Sequence, residues 1–218
     1  MARLITLSFS ASNTQLLLST TVAGGGATAS IPLNNPYPFV FADLARTITL
    51  TSTDDLSGVN FTITGTNQFG IATNEVLAGP NNSTVTSVNQ YNTITNIASS
   101  GNYTNFSIGS GSTGTFQWIK LNTMNVDAQV SIAGAVTGTI NYSVNQTLNA
   151  LEKYVQAGPS FTYVVNTTPI SFPVVAGLTN ATTNQIYYLP SPVTALQGIV
   201  NSSTGGTLTL NILQQGLQ

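Results

Sequence analysis

The chain has 218 residues, of which four are basic and six acidic, for a net charge of −2, and it contains no histidine and no cysteine. A typical soluble domain is about 25% charged; this one is 5% charged and 41% hydrophobic, enough apolar matter for a core with almost no ionic surface. That inventory excludes Ser–His–Asp and Cys–His nucleophilic catalysis, zinc sites built from Cys or His and a disulfide framework.

The composition fits neither disorder, which goes with few apolar residues and high net charge, nor a membrane span, which needs about 20 consecutive apolar residues. The four basic residues, Arg3, Arg46, Lys120 and Lys153, are far apart and neutralise few phosphates, so no nucleic-acid partner is expected. A surface this neutral favours association, and charge is depleted in the cores of subunit interfaces. The chain is therefore expected to pack against copies of itself.

In chain order, Leu4-Ile5-Thr6-Leu7-Ser8-Phe9 alternates instead of forming a signal-type apolar run, and is expected to be a first strand. The stretch up to residue 46 is less regular. Gly24-Gly25-Gly26 and Asn34-Asn35-Pro36-Tyr37-Pro38 read as loops, or as an arm toward a neighbouring subunit.

From Thr47 onward the period is two. Thr47–Thr51, Asn60–Thr64, Ser83–Val88, Thr93–Ile97 and Thr207–Ile212 alternate polar with apolar residues, as half-buried strands do. Thr on the wet face is β-branched and supports a strand without adding charge. Turn clusters separate these runs: Asp54–Gly58, Gly79–Asn82, Ser99–Asn102 and Ser202–Gly206. Strands punctuated in this way predict a sandwich or barrel. Leu148–Tyr154 alone has spacing compatible with one or two helical turns, or with an irregular loop.

A hint of duplication suggests two copies. Thr95–Gly111 and Leu196–Gly216 each read as strand, Ser/Gly turn and strand, the closing hairpin of a sandwich, and Gly109–Gly114 between them has a linker composition. The predicted fold class is all-β, two tandem antiparallel β-sandwich (Ig-like or jelly-roll-like) domains. An N-terminal sandwich with an irregular arm covers residues 1–112, and a C-terminal sandwich covers 113–218. One larger sandwich with a long loop is the alternative.

The chemistry open to this chain is that of carboxylates: Asp43, Asp54, Asp55, Glu75, Asp127 and Glu152. Glycoside hydrolysis needs two of them facing each other, and no local motif sets two apart, so no catalytic, metal or cofactor site is expected. Asp54 and Asp55 read as turn caps ahead of Ser57-Gly58 rather than calcium ligands. Glu75 reads as a charge protecting a strand edge, or as a partner for Arg46 or Lys120 across a subunit contact. Trp118 is expected on one strand face with Phe116 and Lys120, as a core anchor. Tyr187-Tyr188 places one ring inward and one outward, the outward one an interface candidate. Glu75, Arg46, Tyr188 and Trp118 are thus the candidate interface residues. The ten Asn-x-Ser/Thr triplets follow from a composition rich in Asn, Ser and Thr and are given no role.

The run from Arg46 through Asp54-Asp55-Leu56-Ser57-Gly58 to Gly70 resembles the opening of a type of small virion protein of tailed bacteriophages. Asn74-Glu75-Val76-Leu77, Gly79-Pro80-Asn81 and the strand from Thr86 to Ile94 follow in a similar order. The closing segment, Ala195-Leu196-Gln197 to Gln214-Gln215-Gly216, is similar as well. The likeness covers about half the chain in turn-and-strand patterns. It implies a structural role in the virion, foremost a capsid decoration (cement) protein contacting itself and the major capsid protein, and it transfers no site residue. A tail, head–tail junction or fibre component and a receptor- or glycan-binding module are the alternatives. No cofactor, membrane or small-molecule substrate is expected.

Overall fold

The computed structural model describes residues 3–10, 18–20, 30–121, 130–147, 152–157, 160–165, 175, 178–189 and 193–215. Its regular elements are all β-strands, so the fold is all-β, as the period of two requires. Two compact units divide the chain: residues 11–115, and residues 1–10 together with 116–218. The first strand, β1 (Arg3–Ser10), belongs with the later residues, because it pairs along its whole length with the strand that ends the chain's regular structure.

The unit of residues 11–115 is a two-layer antiparallel sandwich. One layer holds β2 (Leu18–Thr20), β4 (Ala45–Asp55), β7 (Asn81–Thr86) and β9 (Phe106–Thr115); the other holds β3 (Phe39–Val40), β5 (Asn60–Thr66), β6 (Ala72–Ala78) and β8 (Thr93–Ser99). Alternation sends Ile48 and Leu50 of β4 and Phe106 and Ile108 of β9 inward, against Phe61 and Ile63 of β5 and Ile94 and Ile97 of β8. Phe61 stacks on Phe106 with centroids 4.6 Å apart, a pairing worth about 0.5–1.5 kcal/mol beyond the area it buries.

One expectation fails here, and one alternative falls away. Gly109–Gly114 is strand, not linker: it forms the second half of β9 and pairs with β4. Its glycines serve close packing, since a β-carbon on Gly111 would stand 1.9 Å from Thr47 Oγ1 and one on Gly114 2.0 Å from Leu44 Cδ1. Nor is Asn34–Pro38 an outstretched arm. The Tyr37 hydroxyl donates to the Ile31 carbonyl and accepts from the Ile97 N–H, which ties this loop to its own core. Gly24–Gly26 lies outside the described residues.

The other unit is built on one long hairpin. Beside β10 (Ile119–Lys120), β12 (Glu152–Ala157), β13 (Ser160–Val165) and β14 (Gln185–Tyr188) stand β11 (Val130–Thr147) and β15 (Ala195–Gln214). These last two pair continuously from Val130↔Gln214 to Thr147↔Ala195, with register shifts at Thr139/Ile140 and Asn141/Tyr142. There Gly138 (φ 71°) and Gly206 (φ 106°) adopt backbone that side-chain-bearing residues avoid.

The hairpin folds over on itself at that point. A β-carbon on Gly134 would stand 2.1 Å from Tyr142 Oη, and one on Gly198 2.7 Å from Leu210 Cδ1. In a straight strand such positions would be about 27 and 41 Å apart, at 3.4 Å per residue. The two halves of β11 and β15 therefore face each other as layers, burying Ile132, Tyr142, Leu196, Val200, Leu208 and Leu210. Ser202–Gly206 is thus a bend inside a single strand, not the turn of a closing hairpin. Of the segment read as helix or loop, residues 148–151 lie outside the described residues, and Glu152–Tyr154 is strand, paired with Tyr163–Val165 of β13.

Candidate functional site

Arg46 is fully buried inside its own sandwich. Its backbone pairs with Tyr91 in both directions, N–H to carbonyl at 2.9 and 2.8 Å. Its guanidinium donates to Asp43 through Nε and Nη2, and Asp43 also accepts the Leu44 N–H at 2.8 Å. A side chain so placed is a structural member of one subunit, which corrects its reading as a surface contact. The pair is separated by three residues of local chain, so the fold supplies the counter-ion from the loop that leads into β4.

Glu75 is also committed within the chain. It sits half-buried on β6, the edge of its layer, on the same side as Thr73 and Leu77. Its two carboxylate oxygens accept the backbone N–H groups of Val88 (2.8 Å) and Asn89 (2.9 Å). An inward-leaning charge on an edge strand obstructs the approach of a further strand, and here it fastens the β7–β8 connection as well. Val88 is held out into solvent by that anchor, 88% exposed.

Asp55 accepts from the Ser57 N–H (3.0 Å) and hydroxyl (2.7 Å), and Asp54 from the Thr104 hydroxyl and the Asn105 amide. These bonds hold both carboxyls below the usual carboxylate value, Asp54 through Thr104 foremost and Asp55 through Ser57. Each of the four carboxylates whose side chains are described accepts bonds from its own chain, and no group of three or more metal-ligating side chains occurs among the described residues. Asp127 lies outside the described residues, and Glu152 enters as strand backbone.

Of the strand face expected to carry Phe116, Trp118 and Lys120, only Ile119–Lys120 is strand. Phe116 and Leu121 are the buried anchors, while Trp118 is half-buried and precedes the strand. The buried Gln197 amide donates to the Phe116 carbonyl at 3.1 Å and fixes the chain there.

Tyr188 is where outward exposure was expected, and it proves part of a larger surface. β14 pairs with β11, β11 with β15, and β15 with β1. Opposed residues share a face, so the register gives one row of Tyr188, Ser131, Leu213 and Leu4, and a second row of Ile186, Ala133, Asn211 and Thr6. Ala135, Thr209 and Ser8 follow, then Thr137, Thr207 and Ser10. Bonds between the Thr6 and Asn211 side chains (2.8 Å) and between the Thr137 and Thr207 hydroxyls (2.7 Å) confirm that these neighbours point the same way. Tyr188 and Ile186 are each 69% exposed and Leu4 63%. No side chain in these rows is charged. The alternation made each residue's parity legible, but not the rows, because β1 and β15 meet across some two hundred residues of sequence.

No protein-family profile matches the chain, and no curated protein does. Among the solved structures similar to this chain are three of infectious bursal disease virus, all at low identity. The Gx strain structure is 11% identical, with 97% of this chain and 70% of that chain covered and a TM-score of 0.18. The Gt strain structure is 12% identical, with coverage of 98% and 72% and a TM-score of 0.20. The VP2 subviral particle is 12% identical, with coverage of 98% and 72% and a TM-score of 0.17. Superpositions this loose carry no argument about this chain, and nothing in them points to a bacteriophage.

Proposed function

We propose that this chain is a structural protein of a virus particle, working in many copies as a shell-decorating (cement) protein. The observation that supports this reading is the uncharged outer face of β14, β11, β15 and β1, an open sheet surface of Leu, Ile, Tyr, Ala, Ser, Thr and Asn. Such a face loses little by leaving water, whereas a charged one must desolvate its ions. The layer of β4 and β7 repeats the theme, with the Thr51 and Thr84 hydroxyls bonded across the strands at 2.7 Å. Repetition makes weak contacts sufficient, because binding to the assembled state stabilises each subunit by mass action. In this reading the carboxylates hold loops, and the protein performs no catalysis.

A glycan-binding role would call for aromatic side chains grouped in a groove, and Tyr188 is the one exposed aromatic among the described side chains. The test is to locate the chain in a map of the particle and to measure binding of the purified chain to shells that lack it. Saturable binding with shell stabilisation is expected. A chain that stays monomeric at high concentration and binds no shell would end the proposal.

A further inference from the structure

We infer that the β14–β11–β15–β1 face docks against the same face of a second copy, about a two-fold axis running along the strands. The inference rests on the oligomeric reading above and names the surface and the partner. The absence of charge argues for a copy of this chain as the occupant, and the size of the face sets how tightly the two copies hold. None of its outward side chains carries a charge, so a partner presenting ions would bury them without counter-charges. A second copy brings an equally neutral surface, with Ser, Thr and Asn groups to satisfy one another.

A two-fold axis along the strands reverses strand order across the interface. The Tyr188 end of one copy's row then lies against the Leu4 end of the other's, and at the centre the small Ser131 and Ala133 of one copy meet Leu213 and Asn211 of the other. This is an isologous contact, closed and self-limiting. With β11, β15 and β1 paired over about eight residues at 3.4 Å each, β14 over about four, and about 4.8 Å between strands, the face measures about 450 Å². The pair would bury about 900 Å² in total, short of the roughly 1,000 Å² that a stable specific interface clears and within the range of weak, transient contacts. The dimer is therefore expected to be weak and concentration-dependent, suited to a protein that accumulates on a repeating surface.

The test uses the purified full chain in sedimentation equilibrium over a wide concentration range, beside Ala133→Arg and Leu4→Ser variants whose folding is checked by circular dichroism. Because the chain has no cysteine, Leu4→Cys and Tyr188→Cys variants can be mixed and treated with a short bismaleimide. The expected result is reversible dimerisation, weakened at least tenfold by Ala133→Arg, and cross-linking in the mixture that exceeds that of either variant alone. Dimerisation that both charge and truncation variants leave unchanged, or cross-linking equal in mixed and separate pools, would overturn this face while leaving the oligomeric reading intact. A wild-type chain monomeric throughout would overturn this face, and one that also binds no shell would overturn the proposed function with it.

Discussion

The phenol oxygen of Tyr142 occupies the place where a side chain at Gly134 would begin, 2.1 Å from an added β-carbon. The two residues lie on the same strand, so this contact is the mark of β11 folding back over itself. An alanine at position 134 must push the ring aside, and overpacking of this kind costs about 1–3 kcal/mol. Urea denaturation should show that loss for Gly134→Ala. Adding Tyr142→Phe, which removes the nearest atom, should recover part of it; no recovery would mean that the ring is not what resists the methyl group.

Glu75 carries the β7–β8 connection on two charge-assisted bonds. Gln at this position offers one acceptor oxygen and a repelling amide, and the expected loss is about 1–3 kcal/mol. Hydrogen exchange localises it: the Val88 and Asn89 amides should exchange faster in Glu75→Gln, while that of Ile63, in the centre of β5, keeps its protection. Uniform acceleration would instead mean global destabilisation without a local anchor.

The buried pair of Arg46 and Asp43 is costly to break and less costly to remove. Asp43→Ala removes the counter-ion of a fully buried guanidinium and should cost about 3–5 kcal/mol. Arg46→Met combined with Asp43→Ala should cost clearly less than the sum of the two single changes, because no charge is left behind. Additive single and double costs in urea denaturation would show that the two side chains do not act together.

Burial delays the ionisation of two tyrosines in particular. Tyr37 is pushed up to about 12 by burial. Tyr91 is pushed up to about 12 by burial first and by the charge of Glu75 second. A folded value above the ordinary 10.0 favours the neutral phenol. The contribution to stability is then fully present below about pH 10 and lost as pH rises through about 12. Ultraviolet titration should find late-ionising tyrosines, and Glu75→Gln should move Tyr91 downward. At the acid end Asp54 and Asp55, held low by Thr104 and Ser57, contribute above the ordinary carboxylate value of 3.8 and lose that contribution as pH falls below it. Thr104→Ala should raise the Asp54 midpoint in a carboxyl NMR titration.

The strand content was legible because alternation is a local property: Thr47–Thr51 or Thr207–Ile212 reveals its buried side from its own residues. The absence of His and Cys was equally plain, and it confines the chain's chemistry to its carboxylates. Glycine was ambiguous in one dimension. Gly109–Gly114 and Ser202–Gly206 have the composition of a linker and a turn, yet one lets β4 approach β9 and the other bends a strand of 20 residues.

Tyr188 could be given a direction by its parity, but not its neighbours. Leu4, Leu213, Ser131 and Tyr188 share a row because β15 takes β1 on one side and β11 on the other, a register set by packing between segments far apart in sequence. Arg46 and Glu75 show the converse: as charges in a neutral chain they suggested contacts between subunits. Only the folded chain could assign Asp43 to one and two backbone amides to the other, because a buried or half-buried charge takes the nearest partner that desolvation leaves it. Sequence alone thus determined that the chain is β-structured and almost without charge. The tertiary structure decided which neutral residues lie side by side on one open face.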